Sequence, residues 1–210
     1  MRKPGEKTTA EMRAALSGIR CFLLDMDGTF YLGDRIIEGS MEFLQKVEQT
    51  GRSYLFLTNN SSRSVQHYVE KLGRLGLHVG EDKILTSGQA AAQYLKREYL
   101  GKRVFLLGNP SLREEMEKHG IALEDEHPDL VLVGFDTTLD YAKMTRVCDL
   151  VREGLPYIAT HPDFNCPTES GFIPDIGAIM AFIEASTGRK ADVIIGKPCG
   201  EIVRAAQERT

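Results

Sequence analysis

Phe22-Leu23-Leu24-Asp25-Met26-Asp27-Gly28-Thr29 is the stretch on which the fold turns: a short apolar run, then two acids one residue apart, then a glycine. A continuous apolar run of this kind, without polar alternation, reads as a strand buried on both faces of a parallel sheet. Ligands of open α/β sheets gather beyond the carboxyl ends of the strands, where Asp25 and Asp27 emerge, so the run that calls for a sheet also marks a site. Taken alone, the acid pair is equally well read as a turn or a helix N-cap after a strand. An EF-hand calcium loop does not fit, because its glycine falls at position six and Gly28 stands at position four.

Outward from this stretch the same alternation repeats. Apolar runs at Tyr54–Leu57, Ile84–Leu85, Val104–Leu107, Leu130–Val133, Tyr157–Ala159 and Val193–Ile195 are read as strands, separated by segments of helical period and by Gly, Pro, Asn or Asp. Val65, Tyr68, Val69 and Leu72 form one apolar stripe on a helix that Gly76 ends. Ser111 and Glu114 have capping-box spacing ahead of a second helix closed by Gly120, and Tyr141, Met144, Cys148 and Val151 mark the buried side of a third. The fold class is α/β, a Rossmann-like core of parallel sheet and flanking helices. With no repeat and no long linker, a second lobe must be an insertion, and the strand-helix alternation inside 87–190 suits one. The expected division is an N-terminal extension over 1–18, core over 19–86, an inserted α/β lobe over 87–190 and a return to core over 191–210. Met1–Lys7 is read as a loose tail and Thr9–Leu16 as a short surface helix.

Three strand ends carry chemistry. A carboxylate is ionised at neutral pH, so Asp25 needs no separate base to attack phosphorus; it needs relief from charge repulsion, which a hard cation with oxygen ligands supplies. Asp27 is placed to protonate a departing oxygen, and Gly28 lets the backbone turn sharply and approach phosphoryl oxygens. The strand Tyr54–Leu57 runs into Thr58-Asn59-Asn60-Ser61-Ser62, a neutral cradle of hydroxyls, amides and N–H groups in which Thr58 and Asn59 are the candidates for direct contact, while one of Ser61, Ser62 or Ser64 suits the cap of the helix that follows. The strand Val193–Ile195 delivers Gly196-Lys197-Pro198, where a lysine fixed beside a helix start acts as a point charge, although a lone lysine is most often a solvated surface group. It is not a Walker A loop, since Gly188 and Gly196 are too far apart and no Ser or Thr follows Lys197.

A net charge of −4 and a pI near 5.8 leave no basic surplus for nucleic acid or an anionic membrane. Four scattered cysteines form no C-x-x-C pair, so neither a zinc site nor a disulfide framework is expected. With no signal peptide or spanning segment legible, the expected location is the cytoplasm.

Together and in this order, Asp25-Met-Asp-Gly-Thr-Phe-Tyr-Leu-Gly, Thr58-Asn-Asn-Ser-Ser and Gly196-Lys-Pro resemble motifs one to three of the haloacid dehalogenase superfamily, and their wording is similar to its NagD or p-nitrophenylphosphatase branch. The resemblance covers essentially all the chain after Arg20 and implies a cap domain inserted between motifs two and three. It implies that Asp25 is nucleophile and magnesium ligand, and that Asp27 is general acid/base and a ligand through its backbone carbonyl. It further implies that Thr58, with Asn59 and Asn60 beside it, binds phosphate and that Lys197 stabilises charge. The cofactor it implies is Mg²⁺ and the partner a small phosphorylated metabolite, with a homodimer compatible with the branch. The segment from Thr160-His161-Pro162-Asp163 to Asp175-Ile176-Gly177-Ala178 is similar to the cap loop facing the core, making His161, Asp163 and Asp175 secondary candidates for substrate contact or for a structural loop.

The family's fourth motif, an acid completing the magnesium site, belongs one strand beyond the helix after Lys197, and the 210 residues stop inside what reads as that helix. The expectation is therefore a core sheet incomplete at its C-terminal side, with the Asp25 strand exposed as an edge, weakened magnesium binding and slow turnover by these residues. The leading function is a phosphatase of small phosphomonoesters such as sugar phosphates and nucleotides. A phosphotransferase using the same nucleophile and an inactive phosphate-binding relative remain as alternatives.

Overall fold

The computed structural model describes residues 9–168 and 170–210; the tail expected over Met1–Lys7 lies outside them. In chain order the elements are α1 (Thr9–Ser17), β1 (Cys21–Asp25), β2 (Tyr31–Leu32), β3 (Arg35–Ile36), α2 (Ser40–Gln49), β4 (Ser53–Thr58), α3 (Val65–Arg74), a single 3₁₀ turn at Glu81–Lys83, β5 (Ile84–Thr86) and α4 (Ser87–Glu98). Then follow β6 (Arg103–Leu107), α5 (Pro110–Lys118), β7 (Ala122–Leu123), β8 (Leu130–Val133), α6 (Tyr141–Arg152), β9 (Tyr157–Ala159), β10 (Asn165–Thr168), β11 (Gly171–Pro174), α7 (Ile176–Thr187), β12 (Val193–Ile194) and α8 (Gly200–Arg209). Every apolar run read as a strand is one.

The strands form two parallel sheets, a smaller one ordered β1-β4-β5 and a larger one ordered β12-β9-β8-β6-β7. In the smaller sheet Asp25 sits beside Leu57, and Thr58 beside Thr86, which puts the ends of three strands level. Two antiparallel hairpins, β2-β3 and β10-β11, carry no sequence signal of their own, because their strands are two to four residues long and mostly exposed. The segment 191–210 belongs to both halves: β12 hydrogen-bonds to β9 in the larger sheet, while Lys197, just beyond it, crosses to Asp25 in the smaller.

Side chains alternate across each strand, and the alternation sorts the core into layers. Leu55 and Leu57 of β4 share one buried cluster with Leu85, Ala90, Ala91, Ala92 and Leu95 around α4, with Ile202, Ala205 and Ala206 of α8, and with Val104, Leu106, Leu130, Leu132 and Ile158 of the larger sheet. The two sheets are thus joined by a common apolar layer. Tyr54 and Phe56 face the other way, toward Leu44 and Val47 of α2 and Val65, Tyr68 and Leu72 of α3. On the far side of the larger sheet Phe105, Leu107, Val131 and Val133 pack against Val147, Cys148 and Val151 of α6 and Ile176 and Ile183 of α7. Strand β1 pairs with β4 alone among the described residues, and Leu23 is 43% exposed, unlike the strands buried on both faces.

Helix starts follow the sequence with one correction. Ser64 caps α3, its hydroxyl accepting from the His67 N–H at 3.3 Å. Helix α5 begins earlier than the spacing of Ser111 and Glu114 suggests: Asn109 is its cap, accepting from the Leu112 N–H at 3.0 Å, and Pro110 occupies the first turn, where a missing N–H costs nothing. Among the described residues no helix is long and apolar enough to cross a membrane.

Candidate active site

Asp25 is the last residue of β1, and the turn after it is built around one carbonyl. Met26 O accepts from the N–H groups of Thr29, Phe30 and Tyr31, and the Gly28 N–H donates to Tyr31 O at 2.8 Å; the Asp27 carbonyl is in none of these bonds. Gly28 holds φ 77°, a left-handed conformation that a side chain resists, so the sharp turn needs glycine. Thr29 Oγ1 donates to Asp25 Oδ2 at 3.4 Å. Asp27 points to the opposite wall, where Lys71 Nζ stands 3.7 Å from its Oδ1. The buried Tyr31 phenol beneath is pushed far above its ordinary range, first by burial and then by the charge of Asp27.

Lys197 reaches this turn from the larger sheet. Its Nζ donates to Asp25 Oδ1 at 2.5 Å and to the Leu57 carbonyl at 3.3 Å. Its backbone is gripped by Asn59, whose Oδ1 accepts from the Lys197 N–H at 2.7 Å and whose Nδ2 donates to the Lys197 carbonyl at 3.0 Å. The same Nδ2 donates to Asp163 Oδ2 at 3.0 Å. Gly196 makes the approach feasible: a Cβ there would lie 2.5 Å from His161 Cβ, 2.7 Å from Asn59 Oδ1 and 2.8 Å from the Thr160 carbonyl.

The loop after β4 is stitched to the strand ends of the larger sheet. Ser61 Oγ pairs with Thr160 Oγ1 at 3.0 Å and accepts from the Phe135 N–H at 2.9 Å; Asn109 Nδ2 donates to the Ser62 carbonyl at 2.9 Å, and Ser87 Oγ to the Asn59 carbonyl. Thr58 Oγ1 accepts from the Asn60 N–H at 3.2 Å, and Asn60 Oδ1 takes both the N–H and the hydroxyl of Ser62 at 2.8 Å. These bonds satisfy buried polar groups and lock the loop's shape before any ligand arrives.

Asp25, Asp27, Thr58, Asn59, Asn60 and Lys197 all line one cleft of about 380 Å³, and Gly28 lies in the adjoining groove with Asp27. Asp163 and Asp175 line it too, but His161 is fully buried behind them, with Nδ1 3.6 Å from Asp163 and Nε2 3.6 Å from Asp175. The nearby imidazole holds the Asp163 carboxyl below the usual range, whereas burial pushes Asp175 above it. Sequence reading did not single out the cleft residues Arg63, His67 and Lys71, or Asn165 and Cys166 on β10. The first three recur every four residues, a visible signal, but nothing local says which way that row faces.

The family described as haloacid dehalogenase-like hydrolase matches residues 22–122. The 5'-nucleotidase YutF of Bacillus subtilis (strain 168) is 34% identical over 185 residues, covering 88% of this chain and 72% of that protein. An acid sugar phosphatase of Staphylococcus aureus (strain MRSA252) is 34% identical over 180 residues, covering 85% and 69%. Among solved structures, the crystal structure of 4-nitrophenylphosphatase from Thermotoga maritima superposes with a TM-score of 0.88 at 47% identity, over 91% of this chain and 73% of that one. The three strand ends that meet at Asp25 thus lie in a chain that matches these proteins in both sequence and fold, and it belongs to the haloacid dehalogenase-like hydrolases.

Proposed function

We propose that this chain hydrolyses small phosphomonoesters, such as sugar phosphates and nucleotides, through a phospho-aspartate at Asp25, with Asp27 carrying the proton and magnesium as the cation. The observation that carries the reading is the 2.5 Å contact of Lys197 Nζ with Asp25 Oδ1, made by residues 172 positions apart. Both side chains are partly exposed, at 32% and 43%, and a pair in that setting stabilises a fold by only ~0–1 kcal/mol. Stability is thus a weak reason for so constrained a lysine; neutralising charge at a reacting phosphoryl group is a stronger one.

In the first step an Asp25 oxygen bonds to phosphorus as the ester P–O bond breaks, and Asp27 delivers its proton to the departing alkoxide. In the second, Asp27 takes a proton from a water whose oxygen bonds to phosphorus, and the bond to Asp25 breaks, releasing inorganic phosphate and restoring both acids. Thr58 and Asn60 keep donors for the phosphoryl oxygens. Asn59 and Gly28 act differently from a direct contact: the Asn59 amide is taken up by Lys197 and Asp163, and the Gly28 N–H by Tyr31. Asn59 thereby positions the lysine, and Gly28 shapes the turn.

The Asp25 carboxylate and the Asp27 carbonyl are hard oxygen donors and would hold the magnesium. Among the described residues no group of three or more His, Cys, Asp or Glu is placed to hold a metal ion, so the donors on this side of the cleft are these two oxygens. When bound, it supplies positive charge to the phosphoryl oxygens.

Hydrolysis of p-nitrophenyl phosphate, sugar phosphates and nucleotides with magnesium tests the reading, together with peptide mass analysis after acid quench. Phosphate is expected on the peptide containing Asp25, and Asp25→Asn should lower turnover at least about a thousandfold. Full activity in that variant would remove the mechanism.

A further inference from the structure

The α3 wall of the cleft carries a row of basic side chains that the chemistry at Asp25 does not use. His67 and Lys71, four residues apart on α3, share one helical face at a step of about 6 Å, and Arg63, which precedes the helix cap Ser64, joins them in lining the cleft that holds Asp25 and Lys197. Among the described residues the ion pairs around this cleft join Lys71 to Asp27, His161 to Asp163 and Asp175, and Lys197 to Asp25, and Arg63 is in none of these. Lys71 is further held by the Tyr31 ring, 4.0 Å below its ammonium.

Two cleft neighbours respond to the Arg63 charge. The His67 imidazole is held below its ordinary range by partial burial and then by Arg63, Arg74 and Lys71. The Cys166 thiol on β10 is pushed up by burial and by Asp175, Asp27 and Asp163, with Arg63 pulling the other way. Arg63 thus lines one cleft with His67 on α3 and with Cys166 on β10 opposite. A guanidinium fork with no carboxylate partner among the described residues, beside an imidazole with N–H to donate, is matched to a carboxylate or phosphate. At about 380 Å³ the cleft has room for a small organic ligand and not merely a phosphoryl group.

We infer that Arg63 and His67 form a second anion subsite, so that the preferred substrates are small phosphomonoesters bearing a second anionic group, a carboxylate or another phosphate; this rests on the phosphatase reading of the same cleft. Arg63 discriminates among esters, while Lys197 serves the phosphorus of all of them.

The test uses matched ligands. Phosphoglycerate differs from glycerol phosphate by a carboxylate in place of a hydroxymethyl group, and a hexose bisphosphate differs from the hexose monophosphate by a phosphate. Each is titrated calorimetrically into the full chain in the Asp25→Asn background, where the ligand survives. The charged member of at least one pair is expected to bind about tenfold tighter, Arg63→Gln to bring that ratio near one, and Arg63→Lys to keep part of it; the pair that responds identifies the second group. A ratio near one for both pairs at the start, or a ratio that Arg63→Gln leaves unaltered, overturns the subsite. Absence of ester hydrolysis by the unmodified chain, with the binding ratio intact, would sink the phosphatase reading and leave the subsite standing.

Discussion

Asn59 pairs with the backbone of Lys197 as a neighbouring strand would, its Oδ1 taking the N–H at 2.7 Å and its Nδ2 meeting the carbonyl at 3.0 Å. One carboxamide from the smaller sheet thus sets the height at which an ammonium from the larger sheet meets Asp25.

Removing that grip should cost both activity and fold. In Asn59→Ala the Lys197 N–H loses its acceptor in a partly buried site, a loss of about 1–3 kcal/mol, and a lysine displaced by an ångström lowers turnover on the order of a hundredfold. Steady-state kinetics on p-nitrophenyl phosphate alongside thermal unfolding checks this; an unchanged kcat would show that Lys197 holds its place without Asn59.

Lys197→Ala should separate catalysis from stability in the opposite proportion to a core substitution. A half-exposed ion pair contributes ~0–1 kcal/mol to folding, whereas loss of a charge aimed at the reacting group lowers kcat by about a hundredfold or more. Tm should barely move. A large fall in Tm with turnover preserved would make Lys197 a structural residue.

Gly196→Ala should damage both at once. The added methyl would meet His161 Cβ at 2.5 Å, Asn59 Oδ1 at 2.7 Å and the Thr160 carbonyl at 2.8 Å, and all three belong to bonded or fully buried groups with little room to yield. Overpacking of this kind costs about 1–3 kcal/mol, and the shift falls on the residue next to Lys197. Thermal unfolding and kcat measured on one preparation should fall together.

Asp163 and Asp175 flank His161 and should respond to pH with opposite signs. The folded chain holds the Asp163 proton more weakly than the unfolded chain, so its stabilisation is full above the ordinary carboxylate range and is lost as pH falls through the depressed value. For buried Asp175 the folded chain holds the proton more tightly, so stability is greatest below the ordinary range and is lost as pH rises through the raised value. Asp163→Asn should therefore lower Tm at neutral pH and converge with the parent in acid, while Asp175→Asn should gain on the parent as pH rises. Tm profiles with the same slope for both variants would contradict the assigned directions.

What the sequence determined by itself was the set of strands, because continuous apolar runs such as Phe22–Leu24 and Leu130–Val133 carry their burial in their own residue types, and the acids and hydroxyls that must stand at strand ends, because chain order places Asp25, Thr58 and Lys197 directly after such runs. Short exposed elements escaped it: β10 and β11 have no apolar alternation to read, and the cap of α5 fell to Asn109 because Pro110 favours an earlier start than the Ser111 spacing indicates.

Only the tertiary structure decided where those strand ends went. That β12 pairs with β9 while Lys197 crosses to Asp25, that Asn59 spends its amide on a residue 138 positions away, and that the Arg63, His67 and Lys71 row faces the cleft are outcomes of two sheets packing through one shared apolar layer. Local periodicity says which face of an element is buried. It is silent on which distant element covers that face, since that choice depends on how all the layers close together.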